Sequence, residues 1–214
     1  MKKRKIALLY LKTGGGHESA ARALCEEILK TGTAEPLMIN PLEENSNFIK
    51  DLIENGYSKL SNEFKFVWPL FYKISNSTRS VKSIYEASKF LFTDLIADQL
   101  LREKPEKIII LHYLLIAPVI NALRIAGMSG IPVSTIVLDP FSVHPVWYSG
   151  NPFPIYCFSD EAAATILSDN ENPEKNVLQF PIILSSRFSG TPAGLREPPR
   201  KTYKKKILIL GGGE

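Results

Sequence analysis

The 214-residue chain carries three histidines, and each follows a run that reads as a β-strand. His17 closes the glycine run of "YLKTGGGHESAARAL" (Tyr10–Leu24), His112 lies in "ILHYL", and His144 in "LDPFSVHPVW" (Leu138–Trp147). Imidazole titrates close to neutral pH, so a neutral histidine at an open crevice can take the proton of a hydroxyl. His17 has the neighbours for that chemistry. Gly14, Gly15 and Gly16 lack Cβ atoms, so a substrate can approach their backbone closely. A helix starting here presents free N–H groups to an anion and disfavours the imidazolium form of a first-turn histidine. The plainer reading of His17, a helix cap, leaves the three glycines beside it without a purpose. Asp139 admits two readings, as a group that orients an imidazole or a hydroxyl and as a turn-former before Pro140. His144, before Pro145, reads as a contact group or a buried hydrogen-bonder, and Trp147 as a substrate contact or as core packing.

The glycine run is not a Walker A loop, which needs Lys-Ser/Thr after its glycines where this chain has His17-Glu18. A dinucleotide fingerprint fits the spacing better, with Gly14, Gly16 and Ser19 in place of the last glycine. Its second strand, however, ends in Ile39-Asn40-Pro41, with no carboxylate to hold a ribose. Neither an Asp-x-Asp motif nor a His/Cys cluster occurs, so no metal or resident cofactor is expected.

The elements that must position these residues alternate along the chain. Strand-like runs are Lys5–Leu11, Glu35–Ile39, Lys107–Leu111, Val133–Leu138, Ile155–Phe158 and Val177–Phe180. Helical patterning covers Gly16–Lys30, with Ala21, Leu24, Cys25 and Ile28 on one face, then about 43–104, Ile116–Ala126 and Glu161–Leu167. Near-continuous β-branched strands between helices predict an α/β fold, a Rossmann-like parallel sheet with helices on both faces. The crevice of such a sheet lies at the carboxyl ends of its strands, so the glycine loop, His112 and Asp139–His144 are expected to converge on one edge.

Composition narrows the class further. At 44% hydrophobic and 22% charged residues the chain reads as an ordinary globular protein. Its apolar stretch at 108–123 is interrupted by His112, Pro118 and Asn121 and falls short of the roughly 20 residues of a membrane span. Cys25 and Cys157 form neither a disulfide framework nor a metal spacing, and no secretory signal is evident, so a cytoplasmic chain is expected. Nine of the 26 basic residues lie in the runs Lys2–Lys5 and Arg200–Lys206, leaving 17 against 22 acidic ones. The body is therefore not basic, which argues against nucleic acid as a partner. Both runs precede a strand that feeds a glycine loop, and so lie opposite the crevice.

Residues 1–185 are expected to form one domain with a helical insertion at about 43–104, and 186–204 have the Pro- and Arg-rich composition of a linker. Residues 205–214, "KKILILGGGE", restart the strand–glycine pattern as the opening of a second α/β domain cut short. The insertion holds seven of the 21 aromatic residues between Phe48 and Tyr72. Phe64, Phe66, Trp68, Phe71 and Tyr72, with Lys50, Lys59, Lys65 and Lys73 interleaved, suit a bilayer interface or the core of a helical subdomain.

"TGGGHESAARAL" resembles the Gly-Gly-Gly-His-x-x-Ala-Ala signature of the monogalactosyldiacylglycerol synthase and processive diacylglycerol glucosyltransferase group. "LDPFSVHPVW" is similar to that group's Thr-Asp-Phe-x-x-His-x-x-Trp element, with Leu138 in place of Thr and Pro140 inserted. "ILHYL" is a weaker echo of its Thr-His-Pro, and "FPIILSSRF" of its Gly-Ile-Pro-Val-x-x-x-Phe exit, with Phe180 in place of Gly. The resemblance runs over nearly the whole chain. It implies the N-terminal, acceptor-side domain of an inverting, two-domain (GT-B) glycosyltransferase that moves a hexose from a UDP-sugar to a diacylglycerol-type lipid. On it, His17 is the base on the acceptor hydroxyl, while Gly14, Gly15 and Gly16 face the donor sugar and diphosphate; Asp139, orienting an imidazole or the acceptor hydroxyl, is expected to be catalytic beside His17. His112, His144 and Trp147 then contact the acceptor, the aromatic insertion docks on the inner face of a membrane, and the 214 residues alone are inactive. Two other readings stay open: a transferase for a polyprenyl-linked acceptor, similar to the peptidoglycan GlcNAc transferase, and a non-catalytic binding module that keeps the fold.

Overall fold

The computed structural model describes residues 3–13, 15–43, 78–168 and 176–185. Six strands, β1 (Arg4–Leu9), β2 (Ala34–Ile39), β3 (Lys107–Ile110), β4 (Val133–Ile136), β5 (Ile155–Cys157) and β6 (Val177–Gln179), form one sheet. Among the described residues four helices connect them in part: α1 (Gly15–Thr31), α2 (Thr78–Glu103), α3 (Ile116–Ile125) and α4 (Asp160–Leu167). Every strand pairing is parallel, in the order β2-β1-β3-β4-β5-β6. The Rossmann-like α/β architecture expected from the alternating runs is the one observed.

Period-two alternation along β1 builds the two layers. Ala7, Leu9 and Leu11 point to one face, where they meet Phe92, Ile96 and Leu100 of α2 and Ile116, Val119 and Ala122 of α3. Leu8 and Tyr10 point to the other, against Ala21, Leu24, Cys25 and Ile28 of α1. Burying one such Leu, Ile or Phe side chain contributes about 1.5–3 kcal/mol, so the strand is held by what covers it on each side. Pro36 falls on β2, an edge of the described sheet, where a residue without an N–H is tolerated.

The strands stop short of their apolar runs. β1 leaves the ladder after Leu9, although Tyr10 and Leu11 stay buried, and β3 leaves it after Ile110. Past β1 and β3 the pairing continues into the loops: the Tyr10 N–H donates to the Ile39 carbonyl at 3.1 Å and the Leu111 N–H to the Leu9 carbonyl at 2.8 Å. The strand order decides where the loops open. From β1 the chain moves outward to β2, and the later described strands lie on the other side of β1, so the topological switch point falls between β1 and β3. The loops after those two strands diverge there; the first leads into His17 in the opening turn of α1, and the second carries His112.

Candidate active site

His17 stands in the first turn of α1 with its ring turned toward the β3 exit. Its Nδ1 lies 2.6 Å from the Leu111 carbonyl oxygen. A carbonyl only accepts, so Nδ1 carries the hydrogen and the neutral ring keeps its lone pair on Nε2. His112 has the opposite tautomer. Its Nδ1 accepts from the Leu114 N–H at 3.2 Å, capping a short 3-10 turn at Tyr113–Leu115. Its Nε2–H therefore donates to Thr13 Oγ1 at 2.9 Å. His144 repeats this pattern, its Nδ1 accepting from Val146 N–H at 3.2 Å to cap the turn Pro145–Trp147. Of the three histidines, His17 alone keeps an Nε2 lone pair.

Adjacent residues on the β3 exit thus hold the glycine loop at two points, Leu111 at His17 and His112 at Thr13. His112 is 2% exposed and both its ring nitrogens are engaged inside the protein, so it braces the loop from beneath. Trp147, 1% exposed, is likewise sealed, and its indole N–H donates to Asp139 Oδ2 at 2.8 Å. Neither ring offers a surface to an acceptor. The rings form a cluster: His17 and His112 have centroids 4.4 Å apart, His112 and Tyr113 4.6 Å, and Tyr113 meets Trp147 edge-on at 5.6 Å.

Burial sets the charge states first. It lowers the pKa of His17, against the opposing pull of the Leu111 hydrogen bond and the Asp139 carboxylate. The direction is the one expected from the sequence, but the main cause is desolvation. His112 is pushed well below the ordinary value by burial and by the charge of His17, and His144 is lowered by burial against Asp139. Burial raises Asp139, while the Trp147 N–H and the charges of His17 and His144 hold it down. At neutral pH the site therefore presents a neutral His17 with a carboxylate near enough to stabilise the imidazolium once it forms.

His17 and Asp139 both line a cavity of about 480 Å³. One wall is α1, with Gly16, Ser19, Arg22 and Glu26; the other is apolar, with Leu138, Phe158, Ile182 and Leu184. A Cβ built on Gly15 or Gly16 meets nothing within 4 Å, so no packing contact demands glycine at either position. What the missing Cβ leaves open is the approach to the helix N-terminus. Gly14, the docking residues Phe64, Phe66, Trp68, Phe71 and Tyr72, the linker and residues 205–214 lie outside the described residues. Thr13, Leu111 and Tyr113 were not singled out from the sequence. Among the described residues no helix is long and apolar enough to cross a membrane.

Fold and site together define a Rossmann-like α/β domain with one base-competent histidine at its switch-point crevice. The family model for monogalactosyldiacylglycerol (MGDG) synthase matches residues 17–182, and the chain belongs to that family. It is 26% identical over 230 residues to "Probable monogalactosyldiacylglycerol synthase 3, chloroplastic" of Oryza sativa subsp. japonica, covering 99% of this chain and 42% of that protein. To "Monogalactosyldiacylglycerol synthase, chloroplastic" of Spinacia oleracea it is 24% identical over 225 residues, covering 99% and 41%. To "Processive diacylglycerol beta-glucosyltransferase" of Bacillus subtilis (strain 168) it is 24% identical over 220 residues, covering 98% and 54%. The chain spans about half the length of the curated relatives it matches.

Because the Asp139 carboxylate favours the charged imidazole, removing its charge makes His17 harder to protonate. Asp139→Asn is expected to move the His17 titration midpoint, followed by NMR of labelled histidine, further below the ordinary value of about 6.5. A midpoint that stays or rises would show that Asp139 does not act on His17.

Proposed function

We propose that the protein containing this chain transfers a hexose from a UDP-sugar to the free hydroxyl of a diacylglycerol-type acceptor, with inversion, and that this chain forms the acceptor-side half. The observation that carries the reading is the Nδ1–H of His17 donated to the Leu111 carbonyl, which leaves an Nε2 lone pair on a residue lining the cavity. In the proposed step Nε2 takes the proton of the acceptor hydroxyl as its oxygen attacks the anomeric carbon. The bond from that carbon to the diphosphate oxygen breaks, and UDP leaves with the electron pair. Attack opposite the leaving group inverts the centre. The proton ends on His17, where the Asp139 carboxylate stabilises the new positive charge.

The two walls of the cavity support a lipid acceptor. A glycerol hydroxyl beside His17 leaves its hydrocarbon to be received by apolar side chains, and Ile182 and Leu184 remain about half exposed there. The open space over Gly15 and Gly16 suits a diphosphate approaching the N–H groups of α1. The names of the relatives support diacylglycerol as the acceptor class and leave both galactose and glucose as donors. The enzyme works, on this reading, at the inner surface of a membrane without spanning it by the described helices.

Two variants of the full-length protein test the proposal with diacylglycerol vesicles and a panel of UDP-sugars. His17→Ala is expected to lower kcat by about 10²–10⁴-fold with an unchanged circular dichroism spectrum, the range for loss of a general base. Activity close to wild type would remove His17 from the chemistry. Gly16→Ala is expected to leave thermal stability unchanged or raised, since alanine is the better helix former, while the KM for UDP-sugar rises. Lost stability with an unchanged KM would make the glycine structural.

A further inference from the structure

Tyr85 stands on α2, which packs against the turn Pro145–Trp147. Its hydroxyl donates to the Val146 carbonyl at 2.9 Å. Burial pushes the phenol pKa far up, so the hydroxyl keeps its hydrogen throughout the working pH range. The edge of its ring lies 3.7 Å from where a Cβ would stand on Gly150, whose φ of +69° already favours glycine. Asn151 holds the next carbonyl: its Nδ2 donates to Trp147 O at 2.9 Å and to Thr135 Oγ1 on β4 at 3.2 Å. The backbone of Val146–Trp147 is therefore held from the helix layer by one side chain and from the sheet by the other. The indole that leaves this backbone carries Asp139 at 2.8 Å.

We propose that Tyr85 is a positioning residue for the Asp139–His17 pair, its hydroxyl fixing the turn that aims the Trp147 N–H at the Asp139 carboxylate. The inference rests on His17 and Asp139 being the site of the proposed transfer. Tyr85 touches neither of them. It acts through one backbone carbonyl and one indole. Among the described residues, His17 and His144 act by charge on Asp139, Asp139 acts on His17, His112 lies beside the His17 ring, and Arg22 and Glu26 of α1 line the same cavity. None of them belongs to α2, so a change at Tyr85 reaches His17 by moving Asp139 rather than through a charge of its own.

Tyr85→Phe in the full-length protein removes one oxygen and keeps the ring. With the turn loosened, Asp139 holds His17 less well, and the His17 midpoint in an NMR titration is expected to fall, by less than in Asp139→Asn. kcat for sugar transfer is expected to fall by roughly 2–10-fold, the value of one hydrogen bond, and this loss is expected to vanish when Tyr85→Phe is made in the Asp139→Asn background. A lower melting temperature with the midpoint and kcat unchanged would make Tyr85 purely structural and overturn the inference. So would an equal loss of kcat in both backgrounds, or a midpoint that rises. The titration needs neither donor nor acceptor. If no sugar is transferred, the proposed function fails while the midpoint still decides the role of Tyr85.

Discussion

The hydrogen bond from His17 Nδ1 to the Leu111 carbonyl organises the crevice. It crosses the topological switch point, joining a residue in the first turn of α1 to the residue that ends the β3 run. A backbone carbonyl cannot exchange donor and acceptor roles, so it fixes the tautomer of the ring as well as its place. The other two histidines are set the opposite way, each accepting a backbone N–H at Nδ1. A three-strand register, Ile39 beside Leu9 beside Ile110, is what brings the carbonyl to the ring, which makes the placement of His17 a property of the sheet.

Around that bond the protein builds a second layer. His112 braces Thr13, Trp147 holds Asp139, and Tyr85 and Asn151 hold the turn that bears Trp147. On the proposed mechanism, the effect is a carboxylate kept where it stabilises the charge that His17 acquires on proton transfer. Burial meanwhile keeps His17 neutral beforehand. The two influences oppose each other at His17, and that opposition suits the proposed role of a base that is neutral at neutral pH and still able to accept a proton.

Much of this was legible in the sequence. Alternating β-branched and helical runs foretold the parallel sheet, and the face Ala21, Leu24, Cys25 and Ile28 of α1 packs as its spacing indicated. Strand ends were overextended at Leu11, Leu111 and Leu138, because these residues stay apolar and inward-facing after the ladder has ended. That His17 and Asp139 lie at one crevice could be foreseen because a glycine run and a strand-end carboxylate are side-chain signals. Leu111 could not, since its contribution is a carbonyl that any residue would supply. Tyr85 lies 61 residues from Val146 in sequence, and only the packing of α2 brings them together. His112 and Trp147, read as acceptor contacts, lie beneath the site, a matter of depth that residue type does not encode.

The proposed mechanism turns on the tautomer of His17. NMR of the full-length protein with ¹⁵N-labelled histidine, assigned with His17→Gln, reads it directly at neutral pH. The expected spectrum has a protonated Nδ1 and a bare Nε2 for His17, with the reverse for His112 and His144. A protonated Nε2 on His17, as the neutral ring or as imidazolium, would leave no base at the crevice and contradict the mechanism.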